Sequence, residues 1–180
     1  MNMKSILALI LLTPLFSIGQ NNEIPLKDGE LNFSEVVVLD STFKKNDLYI
    51  NAKKFFVDVY HSAKDVIQLD DKDAGIVIGK GYFETLWKAN FLYTYQLQIW
   101  HTIKISIKDG KYKYEITDFR YKYYVAPDKY SSGGWNEGNL KDWKKVHNGE
   151  KSIQDAILKE EAEISQLKTY MSKRSSTADF

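Results

Sequence analysis

The sequence predicts an α+β fold: an antiparallel sheet of about five strands with two helices packed on one face, in the order β-α-β-β-β-β-α. Three observations carry this. Tyr95, Leu97, Ile99, His101, Ile103, Ile105 and Ile107 alternate with Gln96, Gln98, Trp100, Thr102, Lys104 and Ser106. That is the period of two that a half-buried strand requires. Asp109-Gly110 follows directly and is a type I′ hairpin signal that pairs 108 with 111. Finally, two segments with helical apolar spacing bracket the strands, one ending near His61-Ser62 and one filling 152–173.

The elements follow in chain order. Leu31, Phe33 and Val36–Leu39 make the first strand, and Asp40-Ser41-Thr42 is turn chemistry. Asn46 is a candidate N-cap for the first helix, because its side chain can accept from the free amides of the first turn. Leu48, Ala52, Phe55, Phe56 and Val59 form its apolar stripe, with Lys53, Lys54 and Asp58 facing away. Val66–Leu69 and Ile76–Ile78 flank a polar knot ending in Gly75, a tight hairpin. Gly79-Lys80-Gly81 predicts a bulge, past which Phe83, Thr85 and Trp87 alternate with Tyr82, Glu84 and Leu86.

Counting back from Asp109-Gly110 sets Ile107 against Tyr112, Ile105 against Tyr114, Ile103 against Ile116 and Lys104 against Glu115. Past Ile116 the apolar phase slips by one, to Phe119, Tyr121 and Tyr123. One extra residue near Thr117-Asp118 restores it, which predicts a bulge there and sets Ile99 against Tyr121 and Trp100 against Arg120. Residues 126–150 read as a long Gly/Ser/Asn-rich loop holding Trp135, Leu140 and Trp143. Ser152 opens the final helix, whose face carries Ile153, Ile157, Ile164, Leu167 and Met171. Its acids lie early and Lys168, Lys173 and Arg174 lie late, in accord with the helix dipole.

Lys4 followed by the apolar run Ile6–Phe16 has the form of a signal peptide over 1–19, too short to span a bilayer. Ser17 and Gly19 supply the small residues before a cut at Gln20. The expected organisation is then an exposed arm over 20–30, one α+β domain over 31–174 and a tail over 175–180. The chain has 25 basic and 24 acidic residues, and loss of Lys4 leaves 24 of each. Such neutrality gives no electrostatic basis for nucleic-acid binding. Cysteine is absent, which excludes disulfides, thiol nucleophiles, thiolate metal sites and a lipid-modified cysteine. The expected location is therefore the periplasm or the exterior, as a soluble protein with no integral membrane segment after cleavage.

Candidate chemistry is sparse. Asp70, Asp71 and Asp73 near Gly75 fail the calcium-loop spacing: counted from Asp71, glycine falls at position five and Tyr82 at twelve. Gly79-Lys80-Gly81 lacks the spacing and following Ser/Thr of a phosphate loop. His101 interrupts an apolar strand face opposite the predicted bulge, so a buried His101–Asp118 pair is expected. Such a pair can orient an imidazole for base catalysis, yet no nucleophile is identifiable to complete a hydrolase. His61, His101 and His147 lack metal-ligand spacing, so neither metal nor cofactor is expected. The open sheet face offers Gln98, Trp100 and Arg120, with Trp100 and Arg120 placed to stack as a cation–aromatic pair. Trp135 and Trp143 are candidates for a lid over that face.

Asp47-Leu48-Tyr49, Ala52 and Phe55-Phe56 belong to a recognisable pattern, which continues through Ser62–Ile67 and Gly75–Gly81. Lys108–Tyr114 and Thr117-Asp118-Phe119 complete it. With these residues the segment from Asn46 through Tyr124 resembles a family of bacterial exported domains of unknown function with a TBP-like fold. The resemblance implies an antiparallel sheet backed by two helices, and it implies no catalytic residue. The DNA role of the fold's namesake does not transfer with the fold. The expectation is a non-enzymatic envelope module that binds a partner protein, peptide or glycan through the open face or the loop. The alternatives are a carrier with a cavity lined by Phe55, Ile99 and Leu167, and a hydrolase using His101 and Asp118.

Overall fold

The computed structural model describes residues 25–60 and 63–174. The expected signal peptide, the first helix's end near His61-Ser62 and the tail lie outside these residues. A small hairpin comes first, β1 (Leu26–Lys27) and β2 (Glu30–Leu31). It is followed by β3 (Phe33–Val38), α1 (Lys45–Tyr60) and the short α2 (Ala63–Val66). Four strands follow, β4 (Ile67–Asp71), β5 (Ile76–Lys88), β6 (Thr94–Lys108) and β7 (Lys111–Val125). The chain closes with β8 (Gly134–Asn139), a 3₁₀ turn at Leu140–Lys145 and α3 (Gly149–Met171). The main sheet has six antiparallel strands in the order β3-β7-β6-β5-β4, with β8 added to the far half of β7. α1 and α3 pack on one face of it, and the core lies between. No helix among the described residues is long and apolar enough to cross a membrane.

The alternation of β6 holds: Leu97, Ile99, His101, Ile103, Ile105 and Ile107 are all buried. The β6–β7 register pairs Ile107 with Tyr112, Ile105 with Tyr114, Ile103 with Ile116 and Lys104 with Glu115. Beyond it Ile99 pairs with Tyr121 and Trp100 with Arg120, because the register shifts between Trp100 and Thr102. Asp118 is the extra residue and takes a left-handed backbone at φ 57°. This turns Phe119 into the core, where it is 5% exposed, and leaves Asp118 on the surface.

Several expectations are corrected. The sheet has one strand more than expected, because β8 lies inside the stretch 126–150 that reads as a loop. The arm carries a hairpin, and its Asp28-Gly29 turn has both residues at positive φ (54° and 80°), the type I′ requirement. At Asp109-Gly110 only Gly110 does (φ 68°), so that turn is not type I′. Instead the Asp109 carboxylate accepts from the Lys45 backbone N–H at 2.7 Å and so caps α1 from across the fold. Asn46, the expected cap, lies inside the helix. α3 begins at Gly149, a turn before Ser152, which is buried.

The expected bulge at Gly79-Lys80-Gly81 is absent. β5 pairs with β6 without interruption there, and the irregularity lies in β4 between Ile67 and Leu69. The glycines serve packing instead. A Cβ on Gly79 would collide with the Phe56 ring, and one on Gly81 with the Tyr60 ring. Phe56 is fully buried, so it cannot move aside. Gly79→Ala and Gly81→Ala are each expected to lower stability by about 1–3 kcal/mol, the usual cost of overpacking. Urea unfolding midpoints check this, and unchanged midpoints would remove the packing role.

Candidate functional site

Two places in the fold concentrate polar chemistry: a buried cluster under α3 and the open face of the sheet.

The cluster is built from three elements. β6 points His101 into the core, since its neighbours at 99 and 103 face the same way. α3 presents Glu160 and Glu163 from successive turns of its inward face. The last residue of α1, Tyr60, lies in the space left by Gly81, which pairs with His101 across the sheet. His101 and Glu160 are 0% exposed and Glu163 is 8% exposed. The Tyr60 hydroxyl donates to Glu163 Oε1 and stands 2.6 Å from His101 Nε2, whose N–H donates to it. His101 Nδ1 is 3.0 Å from Glu160 Oε2, but neither atom completes a hydrogen bond.

Burial is the largest single influence on the imidazole and disfavours its charge. The close carboxylates of Glu160 and Glu163 together outweigh it and hold the His101 pKa up at about 10. Burial also raises the Glu160 carboxyl, against the pull of His101. The Tyr60 hydroxyl is pushed far upward by burial and then by Glu163, so it stays a neutral donor.

The expected His101–Asp118 pair does not form. Asp118 sits across the sheet plane, half exposed, 3.8 Å from Lys80. The bulge that brings Asp118 beside His101 in register also flips its side chain to the other face. The hydrolase reading fails with it, because His101 has no access to solvent. The carrier reading fails on packing. Phe55, Ile99 and Leu167 are enclosed in the core, and the Phe55 ring meets the rings of Phe56, Tyr60 and Tyr170. The acidic turn is committed locally: Asp70 accepts from Tyr49 and Lys53, and Asp71 from the Ala74 N–H.

The open face is free of the helices. Tyr82, Trp100, Arg120 and Asn139 lie in register across four strands, with Glu84, Gln98, Lys122 and Glu137 as the next row. Trp100 leans on Tyr82, ring centroids 4.6 Å apart, and donates from Nε1 to Gln98 Oε1 at 3.3 Å. The expected Trp100–Arg120 stack does not form. Arg120 is exposed beside the pair and makes no hydrogen bond or ion pair among the described residues. A shallow cavity of about 360 Å³ is bounded by Lys80, Trp100, Arg120, Tyr121, Lys122 and Glu137. The two loop tryptophans part company. Trp135 lies on β8, 57% exposed, with the Lys122 ammonium 4.9 Å from its ring centre. Trp143 is 1% exposed in the core and is no lid.

Sequence reading missed Tyr60, Glu160 and Glu163. The signal was present: Ser152, Ala156, Glu160, Glu163 and Leu167 share one helical stripe, and two acids in such a stripe require a buried partner.

A sheet with one face covered by two helices and the other open defines an α+β domain of the TBP-like class. The chain belongs to the domain of unknown function family DUF4468 with TBP-like fold, whose model matches residues 33–122. Its fold is similar to the crystal structure of a TBP-like protein from Parabacteroides distasonis, with a TM-score of 0.64 at 14% identity over 84% of this chain and 99% of that one. It is also similar to a DUF4468 family protein from Bacteroides ovatus, with a TM-score of 0.61 at 14% identity over 85% of this chain and 92% of that one. No curated protein matches the chain.

Proposed function

We propose that the protein is an exported, non-enzymatic binding module of the bacterial envelope that takes a peptide or glycan segment on the open face of its sheet. The observation that carries this is the uncovered row Tyr82–Trp100–Arg120, a paired aromatic surface beside a guanidinium with no hydrogen-bond or ion-pair partner among the described residues. Aromatic rings give a segment apolar contact area, and the amide of Gln98 with Arg120 and Lys122 supplies hydrogen bonds at its edge. Trp135 extends the same face along β8. The six-stranded sheet is the scaffold, and α1 and α3 hold it from behind.

The test is binding of labelled wild type and Trp100→Ala to arrayed envelope peptides and glycans. Ligands of the wild type are expected to bind the variant about tenfold more weakly, the loss of about one aromatic contact. Equal binding of every ligand by both proteins would remove the face from the reading.

A further inference from the structure

We propose that His101, Glu160 and Glu163 form a buried site for one divalent transition-metal ion, with the Tyr60 hydroxyl as a fourth donor. The geometry supports it first. One ligand atom from each of the three residues can be chosen so that all lie within 4.8 Å of one another. Tetrahedral ligands each about 2.1 Å from one ion stand about 3.4 Å apart, so side-chain shifts of about an ångström, which bring the acids to one ring nitrogen, close the set. The donors come from three separate elements, β6, α1 and α3, and the register of each fixes its donor without loops.

The second support is Glu160. It is fully buried, both of its carboxylate oxygens lack a hydrogen-bond donor, and it points at the imidazole. An enclosed carboxylate without donors is costly, and cation coordination is one of the few ways to satisfy it. Third, no fixed cation faces the two carboxylates. Among the described residues no lysine or arginine pairs with Glu160 or Glu163, and His101 and Tyr60 are the other polar groups facing them. Two carboxylates, a neutral imidazole and a divalent ion sum to zero charge.

The donor set also selects the metal. Nitrogen with carboxylate and phenol oxygen suits zinc, manganese or ferrous iron, whereas calcium takes six to eight oxygens. His101 and Glu160 are fully enclosed and Glu163 nearly so, the arrangement of a structural metal rather than a catalytic one. It would pin both helices to the centre of the sheet.

The experiment is refolding of the full chain from denaturant with Zn²⁺, followed by removal of loose metal, metal analysis and a melting curve. Refolding gives the ion access to the buried site. The wild type is expected to retain one Zn²⁺ per chain and to melt higher than protein refolded with chelator. His61→Gln with His147→Gln is expected to keep that ion, and Glu160→Gln with Glu163→Gln to retain at least tenfold less while keeping its circular dichroism. If the acidic-pair variant does not fold, Co²⁺-refolded wild type decides, with visible absorption expected from an imidazole–carboxylate site. Wild type that refolds with no retained Zn²⁺, no shift in melting and no Co²⁺ spectrum would overturn the site. The cluster would then be an imidazolium–carboxylate network only.

Discussion

Replacement of His101 by leucine is expected to destabilise the fold by about 3–5 kcal/mol, the usual cost of removing one partner from a buried charged pair. The cost arises from what stays behind. Glu160 is fully enclosed and Glu163 nearly so, and leucine offers neither a proton nor a charge. Against a total stability of about 5–15 kcal/mol this is a large fraction. The contrast that isolates the cause is His101→Leu with Glu160→Leu and Glu163→Leu together. Removing all the charges and filling the space with apolar groups often leaves stability unchanged or raised. The triple variant is therefore expected to recover most of the loss despite carrying more substitutions. Urea unfolding midpoints of the three proteins measure this. A single variant with the wild-type midpoint, or a triple variant weaker than the single one, would mean that the cluster acts by packing shape and not by charge.

The division between what was legible in the sequence and what was not follows the range of the interactions. The β6–β7 hairpin, its register and its bulge rest on neighbours in the chain, so the alternation from Tyr95 to Ile107 and the phase slip after Ile116 disclose them. β8 was illegible because Gly-Trp-Asn-Glu-Gly-Asn has no apolar alternation. It is a strand only because β7 runs past β3 and offers unpaired backbone groups to Gly134–Asn139. The turn at Asp109-Gly110 shows the same limit from the other side. Its pairing of Lys108 with Lys111 is local and was readable, but its backbone form answers to α1, whose first amide takes the Asp109 carboxylate. His101 on an apolar face announced a buried polar group. Its partners arrive from α3, nearly 60 residues later, and glutamates in a helix more often face water.

Trp143→Ala is expected to cost about 3–5 kcal/mol, whereas Trp135→Ala should cost less than about 1 kcal/mol. In the sequence the two residues look alike, each a tryptophan among glycine, asparagine and lysine. In the fold the Trp143 ring centre lies 4.4 Å from that of Tyr121, 4.7 Å from Trp87 and 5.7 Å from Tyr123. Its removal leaves a void walled by aromatic rings that β5 and β7 hold in place, so little collapse can offset the lost contacts. Among the described residues the Trp135 ring meets Tyr124 edge-on and the Lys122 ammonium over its face, both at the surface. Thermal melting separates the two variants. A small shift for Trp143→Ala would mean that the stretch from Leu140 to Lys145 is not part of the core. A ligand-binding defect in Trp135→Ala without loss of stability would assign that ring to the open face.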